Sequence, residues 1–192
     1  MTEKIEISTI HDGVTLCGSY TLVPGSLSIT VEMTEPYKGI GYEKSLSRRK
    51  LRENSQEYGR LSATEMLVDI YQSAKAIESN LTVYQALHDD YIKRCLPAIE
   101  YYDLLDANLF SNVIRIPITP QDLHNSSYSN RPPNEQEKEY ARARRSYLDA
   151  IKDYQRLEKK YLSRKNLPSI YPMSLFEGLL ELVKHNRENL PG

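Results

Sequence analysis

The chain has no tryptophan, two phenylalanines and two cysteines in 192 residues, and its eight glycines are not assembled into a loop that could cradle a phosphate. Each scarcity removes a class of chemistry. Cys17 and Cys95 lie far apart and form no C-x-x-C motif, so neither a zinc knuckle nor a redox pair is indicated, and both read as buried free thiols. The four histidines, His11, His88, His124 and His185, include no pair at metal-ligand spacing and no H-E-x-x-H. There is no G-x-S-x-G, no Walker loop and no dinucleotide fingerprint, and "KGIGYEK" has glycines without the spacing or flanking elements of one. No catalytic residue, cofactor or metal is therefore expected, and an enzyme of unrecognised type stands third among the functional readings.

Long apolar runs are also missing, and "MTEKIEISTIHDG" has neither the basic start nor the apolar middle of a signal peptide, so a cytoplasmic, non-membrane protein is expected. Charge of one sign is not in excess. With 25 basic against 26 acidic side chains, nothing global advertises a polyanionic partner.

What the chain does have is tyrosine, 15 residues of it, and two regimes of apolar spacing. From Lys4 to Met33 the period is two. In "LSITVEM", Leu27, Ile29, Val31 and Met33 share one face, as in a strand with one buried side. Turn residues at His11-Asp12-Gly13 and Pro24-Gly25-Ser26 separate three such runs, which predicts a three-stranded antiparallel meander over residues 1–34. Residues 35–61 read as a basic connector. Ser62-Ala-Thr-Glu65 has the form of a capping box and predicts a helix start.

Beyond it a heptad runs from about 62 to 106. Leu67, Ala74, Leu81, His88, Cys95 and Tyr102 occupy one position and Ile70, Ile77, Tyr84, Tyr91, Ala98 and Leu105 the other. Flanking apolar residues widen the stripe, so this helix should touch more than one partner. It is expected to continue through Ser79-Asn80 and to kink at Pro97, which lacks a backbone donor. Residues 107–133 contain a short extended piece, "NVIRIPITP", and then "QDLHNSSYSNRPPNEQ", a polar run that reads as a mobile loop. A second heptad then places Tyr140, Tyr147, Tyr154 and Tyr161 seven residues apart, with Ala143, Ala150 and Leu157 between them, and predicts a helix over 134–165. Ser174-Leu-Phe-Glu177 opens a short amphipathic helix that buries Phe176, Leu179, Leu180 and Val183.

The expected fold is α+β and predominantly helical: a small N-terminal sheet, a coiled-coil-like antiparallel helical hairpin and a C-terminal helix, with 62–192 one unit and the whole a single structural unit. Residues 134–165 are net basic and 63–106 net acidic, so the two arms should select and neutralise each other. Functionally this predicts a non-enzymatic interaction protein, an adaptor, inhibitor or assembly subunit, that meets a protein partner through helical and tyrosine-rich surfaces. Homo-oligomerisation could complete a wide apolar stripe. The alternative is nucleic-acid binding through the basic helix and the connector cluster at 44–52. Under either reading the contacts to watch are Arg48, Arg49, Lys50, Arg144 and Arg145, while His88, set among tyrosines in the seam, is the candidate pH-sensitive residue.

Overall fold

Strands Lys4–His11 (β1), Val14–Leu22 (β2), Ser28–Glu35 (β3) and Gly41–Ser45 (β4) form an antiparallel sheet in the order β1-β2-β3-β4. Five helices follow in the computed structural model: Ser55–Ser79 (α1), Leu81–Arg94 (α2), Leu96–Val113 (α3), Glu135–Tyr161 (α4) and Met173–Glu188 (α5). The structure describes residues 4–22, 27–48, 55–113 and 135–188. The expected mobile loop therefore falls largely outside the described residues, as do Arg49, Lys50 and the turn at Pro24-Gly25-Ser26. The fold is α+β and predominantly helical, as the two spacing regimes imply.

The described residues divide into two units. One holds the residues up to Gln85 together with those from Lys165 onward, and the other holds Ala86–Arg164. In the first unit, one face of the sheet presents Leu16, Tyr20, Ile29, Val31 and Met33 to the core, all buried. That is the face the period-two pattern marks. The β1–β2 hairpin turns at Asp12 and Gly13, both at positive φ, the combination a two-residue hairpin turn needs to match strand twist. Across this face lies α1, burying Ala63, Met66, Leu67, Ile70, Ala74 and Ile77. Against α1 packs α5, through Leu175, Phe176, Leu179, Leu180 and Val183. Its start at Met173 lies within one residue of the capping-box expectation.

Three elements differ from expectation for identifiable reasons. The sheet has a fourth strand inside the expected connector. Its sequence, "GYEKS", lacks apolar alternation because it is an edge strand, held by pairing with β3 and by Tyr42, whose hydroxyl donates to Asp69 on α1 at 3.2 Å. Second, α1 begins by Ser55 rather than at Ser62, which is buried in the helix interior. Gly59 lies close to the sheet, where a Cβ would stand 2.6 Å from Leu22, and Ser62 and Ala63 are buried in the turn that follows. Residues that resemble a cap in sequence thus lie within the helix.

Third, the helix expected over 62–106 is interrupted at Asn80 and again at Cys95. The Asn80 side-chain amide donates to the Ala76 carbonyl at 3.4 Å, competing with the backbone ladder, so propensity prevails over heptad continuity. At Pro97 the missing N–H removes the ladder bond to the Lys93 carbonyl, and the next helix restarts with Ala98 and Ile99 both donating to the Cys95 carbonyl. Within the expected helix, α1 takes the sheet and α5 as partners, while α3 pairs with α4. The width of the apolar stripe, too great for one seam, is explained by this division of partners.

Candidate interaction surface

In the Ala86–Arg164 unit the seven-residue tyrosine recurrence becomes a ladder. Tyr161 donates to Asp90 at 2.7 Å, Tyr154 meets the ring of Tyr91 edge-on at 5.4 Å, and Tyr147 lies against Tyr102 at 4.7 Å. Tyr140 donates to Asp106 at 2.7 Å and stands 2.8 Å from the Tyr102 hydroxyl. The partners run backwards along the chain as the tyrosines run forwards, so α4 is antiparallel to the segment it packs on. Ala143, Ala150 and Leu157 are buried between the rungs, which is the reason small residues alternate with large ones. On one flank Tyr101 donates to Glu139.

The hydroxyls of Tyr101, Tyr140, Tyr154 and Tyr161 are satisfied within the protein by carboxylates. Burial, and the nearby Glu158 carboxylate, hold the Tyr154 phenol well above its ordinary range. Hydrogen bonds with Tyr102 and Asp106 do the same for Tyr140. In the other unit, burial pushes Tyr84 up to about 12, and burial together with Glu78 raises Tyr37. None of these phenols is primed as a nucleophile or base; all favour the neutral form. A pH dependence follows. Unfolded tyrosine ionises near ~10. A folded value above this gives a stabilisation that is complete below ~10 and is lost as pH rises through the folded values. Alkaline titration should therefore hold back the share of phenolate absorbance due to these tyrosines until far-ultraviolet circular dichroism is lost. Release of all 15 phenolates near ~10 with the helices intact would mean the ladder is exposed to solvent.

The expected neutralisation of the basic helix is mostly absent among the described residues. Glu65, Asp69 and Glu78 belong to the other unit, where they face Lys44, Tyr42, Lys75 and Tyr37. Among the described residues Lys160 pairs with Asp90 of the acidic segment at 3.3 Å, and the Tyr161 hydroxyl together with Lys160 holds the Asp90 carboxyl below its usual range. Elsewhere α4 balances itself at three-residue spacing, through Lys138–Glu135, Lys152–Asp149 and Arg156–Asp153. Exposed pairs of this kind contribute little to stability.

Arg144 and Arg145 are exposed and form no ion pair among the described residues. They border a shallow hollow with Tyr140, Ala141 and Leu148, and Leu148 is 48% exposed. Arg142 faces the opposite flank, in a hollow lined by Glu135 and Glu139 as well. Sequence reasoning singled out Arg144 and Arg145 but missed Leu148. The signal was available, because Leu148 follows the seam residue Tyr147 and so falls outside the stripe. Arg48 is exposed in the other unit, far along the chain from this pair, and His88 is half-buried with its ring 6.4 Å from Tyr91. No group of side chains able to hold a metal ion occurs among the described residues, and no helix there is long and apolar enough to cross a membrane. Comparison with protein-family models, curated proteins and solved structures finds no match to this chain.

Proposed function

We propose that this chain is a non-enzymatic interaction protein, an adaptor, inhibitor or assembly subunit, which binds a protein partner through the outward face of α4. The observation that carries the reading is the contrast between the two faces of that helix. On the inner face Tyr140 and Tyr161 have their hydroxyls satisfied by Asp106 and Asp90, whereas on the outer side Arg144 and Arg145 lack an ion pair among the described residues and adjoin an exposed leucine. Arginine beside apolar surface is enriched where proteins meet, because its planar fork can bond a carboxylate in bidentate fashion while its stem covers apolar area.

The rival reading is nucleic-acid binding by the same arginines, with Arg48, Arg49 and Lys50 as further contacts. One experiment separates them. Tagged wild-type protein is recovered from its native cells, with and without nuclease, beside an Arg144→Glu/Arg145→Glu variant. The expected result is a protein that co-purifies with the wild type, resists nuclease and is lost with the variant. Recovery of nucleic acid alone, bound with an affinity that falls steeply with salt, would replace this reading with the rival one.

A further inference from the structure

We infer that the hollow formed by Tyr140, Ala141, Arg144, Arg145 and Leu148 receives an acidic protein segment carrying an apolar side chain, which seats between the two arginines. This inference rests on the interaction reading above and specifies its partner. The geometry comes from helix periodicity. Arg144 lies four residues from both Tyr140 and Leu148, and Arg145 lies four from Ala141 and three from Leu148, so the arginines flank an apolar floor. Leu148 is not needed by the seam, whose inner positions Ala143, Ala150 and Leu157 are already buried. A leucine left half exposed between two guanidinium groups offers an apolar contact with carboxylate-binding forks on either side.

Charge complementarity favours an acidic segment over a polyphosphate backbone. Tracking a phosphate chain takes a line of unpaired cations, yet the next cations along α4, Lys152 and Arg156, are already paired with Asp149 and Asp153. Arg142 lies on the opposite flank, and Lys159, the next cation along α4 without an ion pair among the described residues, lies roughly 21 Å further along the axis, so Arg144 and Arg145 form an isolated patch about one turn long. Two phosphate contacts would give a salt slope of only about −1.8. Base stacking is not offered either, since the Tyr140 ring packs on Tyr102 and its hydroxyl is held by Asp106. A short segment with an apolar residue between carboxylates meets both halves of the hollow at once.

The test uses the full chain and three fluorescein-labelled probes: a synthetic peptide of glutamates around a central leucine, the same peptide with serine in place of leucine, and a single-stranded oligonucleotide of equal charge. Anisotropy titrations at two salt concentrations should show binding of the leucine peptide that weakens with salt. The Arg144→Glu/Arg145→Glu variant should bind it at least about tenfold more weakly, a change of about 1.4 kcal/mol. Leu148→Ser in the protein, or serine in the peptide, should each cost several-fold. Circular dichroism of the variants should match the wild type, since all three side chains are exposed. The inference is overturned if no leucine-peptide binding is seen up to about 1 mM, if the double reversal leaves it unchanged, or if the oligonucleotide binds as tightly. A co-purifying protein that survives the double reversal would sink the hollow yet leave the broader interaction reading standing, whereas absence of any co-purifying protein would sink the broader reading.

Discussion

Replacing Tyr84 with alanine is expected to destabilise the sheet-containing unit by about 3–5 kcal/mol, the range for removing a buried aromatic ring. Tyr84 is 1% exposed, its ring lies 5.9 Å from that of Phe176, and its hydroxyl donates to the Pro168 carbonyl at 2.9 Å. The substitution would open a cavity between α2 and α5 and leave a carbonyl without its donor. Tyr84→Phe separates the two effects, because it keeps the ring and removes only the hydrogen bond, at a cost of about 1 kcal/mol. Chemical denaturation of both variants checks the pair. An alanine variant no weaker than the phenylalanine variant would mean that the ring is not part of the core.

The second large effect is expected at Gly18, where valine should cost about 3 kcal/mol through overpacking. Any Cβ at this position would stand 2.6 Å from the Glu32 carbonyl oxygen and 2.7 Å from Leu67 on α1. The leucine can rotate; the backbone oxygen of the neighbouring strand cannot. The register shift between Cys17 and Gly18 lies at the same place, so the strand is already irregular where the helix comes closest. Gly13 is the control, with φ of +76° and no atom near its absent Cβ. Its replacement by alanine costs only conformational strain, about 1 kcal/mol. If thermal denaturation shows Gly18→Val to be no worse than Gly13→Ala, the β3 backbone does not close on Gly18 as described.

Gly18 also illustrates where the sequence was legible and where it was not. Periodic burial could be read directly: Ile29, Val31 and Met33 alternate on β3, tyrosine recurs every seven residues on α4, and Phe176, Leu179, Leu180 and Val183 share one side of α5. Such patterns are local, and burial on one face imposes them. Close approach leaves no comparable trace. Gly18 and Gly59 lie against another element and Ser62 is buried, yet within their own segment they pass for weak strand, turn and helix cap. The fourth strand was hidden for a related reason, since an edge strand is held by its neighbour's backbone and needs little apolar patterning. At the candidate surface, Arg144 and Arg145 stood out by charge alone. Whether they were neutralised depended on which way they face, with the exposed Leu148 rather than into the seam, and a sum of charges over each helix does not reveal that.

The sheet-containing unit is assembled from two stretches of chain separated by the whole helical pair. This has a consequence for synthesis. Residues emerge at roughly 5–20 per second, N-terminal first, so α1 leaves the ribosome several seconds before α5. Throughout that interval the side of α1 that α5 will cover has no mate, while the helical pair, made from one uninterrupted stretch, can already close. The unit encoded first is therefore completed last, and a released chain truncated between Arg164 and Met173 would hold every residue of the second unit beside an unfinished first one, the species a chaperone would be expected to hold.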